Sequence, residues 1–157
     1  MVADLPEQLI AQAEDLLRKG PTNEATVRRS VSAAYYSLFH LLVRDAIANW
    51  REAEDHPRLA RVFEHRQMKA ASIATVAEWK QSKDGSPEDT LKWVAQAFID
   101  LQNARHQADY DTAEPFDPLK AAVLVAQARI AIEAWPTVKA RSITGRYLYS
   151  LLFRDRA

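Results

Sequence analysis

Val27-Arg28-Arg29-Ser30-Val31-Ser32-Ala33-Ala34-Tyr35-Tyr36-Ser37-Leu38-Phe39-His40 is the stretch that decides the fold. Wound at about 100° per residue, it has almost no solvent face. Val31, Leu38 and Leu42 fall on one side, with Tyr35 near them. Tyr36, His40 and Ile47 fall within about 20° of the direction of Arg29, on a second side. Phe39 and Trp50 occupy a third, and Ser30, Ser37 and Arg44 leave only a narrow polar stripe. A helix apolar nearly all round is surrounded by others. This one is therefore expected at the centre of a helical bundle.

Outward from it, helix signals recur. A first helix is expected from about Pro6 to Lys19, stopped by Gly20 and Pro21. Thr22 or Asn23 caps the central helix, which runs to about Arg51. Pro57 opens a third helical region to about Trp79, broken near Glu64. Ser86-Pro87-Glu88-Asp89 combines a cap residue, a first-position proline and early acids. Its helix ends near Tyr110. Asp117-Pro118 repeats the signal, for a helix to about Trp135, where Pro136 ends it. A last helix covers about Ser142 to Phe153. Nothing alternates with period two for long enough to make a strand. The expectation is an all-α, up-and-down bundle of about five to six helices, forming one domain over residues 1–157.

Composition narrows the chemistry. Three glycines in 157 residues suit long helices with short loops, and the absence of cysteine removes disulfides, thiolate zinc sites and cysteine nucleophiles. No apolar run approaches the roughly 20 residues of a membrane span, and the first residues lack the pattern of a signal peptide. A cytoplasmic location without membrane association is expected. The net charge of zero hides an asymmetry. Eight acids between Asp84 and Asp117 face only Lys92 and Arg105, while five basic residues after Trp135 face only Asp155. There is no Glu-x-x-His pair, glycine-rich phosphate loop or Gly-x-Ser-x-Gly elbow, and no cofactor or metal is expected.

Three polar groups remain. In the helix ending at Ala104-Arg105-His106-Gln107-Ala108-Asp109-Tyr110-Asp111, Arg105 shares the core stripe of Val94, Phe98, Leu101 and Ala108. Arginine keeps its charge, so burial demands a partner, and Asp109 stands one turn on. Asp109 also lies at the helix end where the dipole disfavours an acid. Two broken local rules mark a functional or strained place. Arg29, Tyr36 and His40 share one face of the central helix. If that face meets the end of the Arg105 helix, these three would line one polar pocket with Arg105, Asp109 and Tyr110. The third group, Arg58, Arg61, His65, Arg66 and Lys69, reads as a basic face.

Val27 to His40 resembles a segment of prokaryotic HEPN-domain proteins. Ala104 to Asp111 resembles the Arg-x-x-Ala-Asp-Tyr signature of a small stand-alone subgroup, and Phe63-Glu64-His65-Arg66-Gln67-Met68-Lys69 looks like its middle segment. The resemblance runs from about Leu5 to Phe153. It implies a helical bundle, usually a homodimer, often tied to RNA or nucleotides. It also implies a toxin–antitoxin or defence setting, with an antitoxin or nucleotidyltransferase partner. Many members are metal-independent ribonucleases whose motif is an arginine, four to six residues, then a histidine. Here Arg105 matches the arginine, but Tyr110 stands where the histidine would be, and an unperturbed tyrosine is a poor base at neutral pH. His106 points about 100° away from Arg105 on the helix. Arg58 and His65 match the spacing on another element. The resemblance thus implies catalytic candidates Arg105, Tyr110 and His106, with Arg29, Tyr36, His40, Asp109 and His65 as ligand-binding candidates. Three functions follow: an RNA- or nucleotide-binding protein with a degenerate ribonuclease centre, an active endoribonuclease, or a non-catalytic dimeric interaction module. Tyr147, Leu148, Leu151 and Leu152 are candidate dimer contacts.

Overall fold

Four side-chain caps set where helices begin. Asp4, Asn23, Ser86 and Asp117 accept hydrogen bonds from the backbone N–H groups of Glu7, Thr26, Asp89 and Leu119 at 2.9–3.1 Å. Each satisfies a donor that the first turn would leave open. The computed structural model describes residues 4–19 and 23–153. Gly20, Pro21 and Thr22, and the basic residues Arg154 and Arg156, lie outside the described residues. Seven α-helices follow: α1 (Leu5–Arg18), α2 (Glu24–Ala48), α3 (His56–Ala60), α4 (His65–Glu78), α5 (Pro87–Tyr110), α6 (Pro118–Ala134) and α7 (Ser142–Leu152). The expected third helical region divides into α3 and α4 at residues 61–64, which accounts for a helix more than anticipated. No strand occurs among the described residues, and none of their helices is long and apolar enough to cross a membrane.

The central position of α2 holds. It packs against α1, α3, α5, α6 and α7, while α4 lies on α5 and α7. The polar stripe of α2 behaves differently from a solvent stripe. Ser30 and Ser37 are fully buried and donate to carbonyls of their own helix, those of Val27 and Ala34, at 2.6 and 2.7 Å. Their small side chains need no outside partner. α6 faces the core largely through small residues, including the buried Ala121, Ala128 and Ala131. Trp135 closes the end of the core, donating its indole N–H to Asp45 at 2.6 Å.

The proposed interface residues of α7 need correction. Tyr147, Leu148 and Leu151 are buried within the chain, Tyr147 bonding Ser72 at 2.8 Å, and Leu152 is partly buried. α7 is amphipathic, and the expected dimer contacts are its core side. The large apolar residues it leaves to solvent are Tyr149 and, just beyond it, Phe153.

One contact fixes how α5 meets α2. The Arg28 guanidinium reaches the C-terminal end of α5. Its Nη1 donates to the carbonyls of Ala108, Asp111 and Gln107 at 2.8, 2.7 and 3.2 Å. Its Nη2 donates to Glu114 O at 2.8 Å and to the Glu24 carboxylate at 2.7 Å. Helix-terminal carbonyls lack partners and carry the negative end of the helix dipole, so a cation that bonds several at once is well matched. Arg28→Ala should therefore lower unfolding stability by roughly 2 kcal/mol, read from urea titration. Arg28→Lys should recover only part of the loss, because an ammonium cannot span the same acceptors.

Candidate functional site

Arg105 lies on the core stripe of α5, as its spacing with Val94, Phe98, Leu101 and Ala108 requires. Its side chain is 11% exposed. The guanidinium rests over the rings of Tyr35 and Tyr36, at 5.2 and 5.9 Å from their centroids. The quadrupoles of the two rings supply part of the attraction that water would have given. Its ion pair with Asp109 is loose, Nη1 to Oδ2 at 3.6 Å, too long for a hydrogen bond. Nε is buried and has no hydrogen-bond partner. No described residue accepts a hydrogen bond from any of the guanidinium's donors. The other oxygen of Asp109 accepts from the Ser32 hydroxyl at 2.6 Å. Ser32 and Arg105 together hold this acid at the unfavourable end of a helix.

His65, the first residue of α4, turns inward to the same place. It leaves the basic face assigned to it, where Arg58, Arg61 and Arg66 are exposed and Lys69 bonds Asn103 at 2.6 Å. Its ring stacks on Phe39 at 4.6 Å and meets Tyr36 edge-on at 6.0 Å. Its Nδ1 lies 2.5 Å from the Tyr35 hydroxyl. Burial pushes the Tyr35 phenol well above its ordinary value, so it keeps its proton. Among the described residues that buried proton has one acceptor, Nδ1, which assigns the imidazole proton to Nε2. Nε2 bonds no described residue and is not sealed from solvent. Burial, then the Arg105 charge, then His40 hold His65 below the ordinary histidine value. Burial alone does the same to His40.

Beside this cluster is a cavity of about 350 Å³ between α1 and α2. Leu5 and Leu9 form part of its apolar wall, and Arg29, Ser32, Tyr36 and His40 its polar one. Its size falls in the range of small-ligand sites. Ser32 and Tyr36 belong to both cavity and arginine cluster, so the two are continuous. Tyr36 packs against Arg105, which pairs loosely with Asp109, while Arg29 and His40 line the adjoining cavity; none of the described contacts joins Arg29 or His40 to Arg105. Tyr110 does not join them. It is 67% exposed and pairs with the exposed His106, ring centroids 5.0 Å apart, on the outside of α5. None of the described contacts joins either residue to Arg105. One turn of helix explains the separation: Arg105 and Asp109 share a face, and Tyr110 is rotated about 100° from Asp109.

Ser32, Tyr35 and Phe39 were not singled out from the sequence as site residues. Their spacing from Tyr36, four before and three after for Ser32 and Phe39, was the available signal. Chemically, the cluster offers an anion two kinds of donor: unused guanidinium N–H groups and the Nε2–H of a neutral imidazole. No described His, Asp and Glu residues group in a way that could hold a metal ion. No protein-family model matches the chain, and neither a curated protein nor a solved structure matches it.

The direction of the histidine shift fixes a pH dependence. His65 is harder to protonate folded than unfolded, so its contribution to stability is complete above 6.5, the ordinary value, and is lost as pH falls through its lowered one. His40 acts in the same sense. Imidazole NMR should place the His65 midpoint below 6.5. Arg105→Met should move it upward by removing the adjacent positive charge, and a midpoint unmoved by that change would separate the two groups electrostatically.

Proposed function

We propose that this chain is a HEPN-type protein that binds RNA or a nucleotide through a phosphate seated on Arg105, in a ribonuclease-like centre altered for binding. The observation that carries the reading is the Arg105 guanidinium, nearly removed from solvent yet without a hydrogen bond to any described residue. A buried charge without such partners is costly, and a phosphate oxygen pair matches the guanidinium fork. His65 Nε2–H supplies a neutral second donor, while Arg29 and His40 border the adjoining cavity. The family reading is supported by the all-helical bundle and by the packing of the Val27–His40 segment against the end of α5. On that reading the protein is a cytoplasmic homodimer in a toxin–antitoxin or defence system, with an antitoxin or nucleotidyltransferase partner.

A second reading, an active metal-independent endoribonuclease, is favoured by one observation. His65 shares Tyr35 with Arg105 and so brings a histidine beside the arginine, which Tyr110 does not do. The base in such a reaction must accept a proton from the RNA 2′-hydroxyl, and the arginine must stabilise the phosphorane. With Tyr35 donating to Nδ1, the outward nitrogen carries a proton and donates instead. This arrangement suits binding better than proton abstraction.

Arg105→Ala, with folding confirmed by circular dichroism, should weaken binding of RNA or mononucleotide by about 10- to 100-fold, the loss expected for charge-assisted hydrogen bonds. RNA incubated with the wild type should remain intact. Cleavage by the wild type that disappears in His65→Ala would establish the nuclease reading instead.

A further inference from the structure

The cavity between α1 and α2 has one wall of polar groups that the fold leaves unused. Tyr36 and His40 line it, and neither the Tyr36 hydroxyl nor a His40 ring nitrogen bonds a described residue. None of these atoms is sealed from solvent. Arg29, exposed and likewise unbonded to a described residue, lies on the same wall, and no carboxylate lines the cavity. Facing them on α1 are Leu5, Leu9 and Leu16, with the exposed Gln12 among them. An apolar wall opposite a few convergent donors and acceptors is the make-up of a small-molecule site.

The layout along α2 gives an occupant its direction. α1 runs antiparallel to α2, with Asp4 paired to Arg44, so Leu5 and Leu9 lie toward His40 and Leu16 toward Arg29. Arg29 and His40 are eleven residues apart, which is about 16 Å of helix. Between them is Tyr36, whose ring lies under Arg105. His40 is one further turn along, its ring 6.1 Å from that of Tyr36. A group attached to a phosphate on Arg105 and directed along α2 therefore meets Leu5, Leu9 and His40. Burial holds the His40 imidazole below the ordinary histidine value, so at neutral pH it presents one donor and one acceptor. A nucleobase has the matching form: flat faces for the leucines and a polar edge for the imidazole. Arg29 is then on the phosphate side of the ligand.

Size limits the occupant further. About 350 Å³ lies near the lower end of small-ligand sites and suits one nucleoside, not a run of stacked bases. A base held in a duplex would have to leave its stack to enter. We propose that the cavity between α1 and α2 is the nucleoside subsite of the Arg105 site, taking a single unpaired nucleoside with its base between Leu9 and His40. The proposal rests on the phosphate-binding reading of Arg105 and narrows its ligand to one unpaired nucleotide, free or within RNA.

The test follows the His40 and His65 imidazole resonances during titration with inorganic phosphate and with each of the four ribonucleoside 5′-monophosphates. Phosphate should move His65 alone, and a mononucleotide should move both. The best mononucleotide should bind about 10- to 100-fold more tightly than phosphate. Leu9→Trp, which puts bulk into the cavity, and His40→Ala should each remove about tenfold of that affinity and leave phosphate binding unchanged, which also shows the site to be folded. Arg105→Ala should weaken both ligands. Mononucleotide binding no tighter than phosphate, or unchanged in both cavity variants but lost in Arg105→Ala, would overturn the cavity alone. Loss in the cavity variants with Arg105→Ala unchanged would remove the arginine reading instead, and a wild type that binds neither ligand would overturn both. A short unpaired oligoribonucleotide that binds more tightly than the mononucleotide identifies RNA as the source, and equal affinity identifies the free nucleotide. The same strand annealed to its complement should bind weakly, and equal binding of the duplex would sink the subsite. If sedimentation shows a wild-type dimer that Leu9→Trp converts to monomer with nucleotide affinity unchanged, the cavity belongs to an interface between copies.

Discussion

The docking of α5 on α2 through Arg28 is the contact on which the rest of the site depends. A helix end is a set of unpaired carbonyls, and here one guanidinium from α2 bonds several of them together with the turn that follows. Arg105 and Asp109 lie within the last two turns of α5. Their height above Tyr35 and Tyr36 is therefore set by Arg28, a residue that touches neither. With that end fixed, Ser32 meets Asp109 and the two tyrosine rings lie within reach of Arg105. Arg28 is thus structural support for a cation that itself makes no hydrogen bond to a described residue.

The site combines two opposed treatments of charge. Arg129, near the surface, is bonded by both Glu7 and Glu14. Arg105, far more buried than an ordinary surface arginine, has aromatic faces and one loose carboxylate. Saturating Arg105 in the manner of Arg129 would leave no reason for an anion to displace solvent there. The zero net charge of the chain gives no long-range pull on a polyanion, so any discrimination must arise locally.

Much of this was legible before the coordinates. The caps at Asn23, Ser86 and Asp117 and the prolines beside two of them marked helix starts, because capping is local chemistry. Arg105 stood out because a charge on an apolar stripe breaks the helical pattern, and Arg29, Tyr36 and His40 because they share a face. The position of His65 was not legible. It sits on another helix, and a face containing Arg58, Arg61 and Arg66 reads as solvent until the break before α4 turns the ring inward. Tyr110 misled for the converse reason: its place five residues after Arg105 suggested a shared site, and helical rotation separates them. The residues of α7 were assigned to an interface because sequence shows that a side is apolar without showing what covers it.

The hydrogen bond between Tyr35 and His65 reaches beyond the pair that makes it. An imidazole has two faces to its acid–base behaviour, and a buried hydroxyl on the inner edge chooses which one the outer edge presents. Tyr35 is thus a tautomer selector: a proton that never meets the ligand decides whether the ligand meets a donor or an acceptor. A protein built this way could shift between holding a phosphate and attacking beside it by altering a core tyrosine, without changing any residue at the surface of the site.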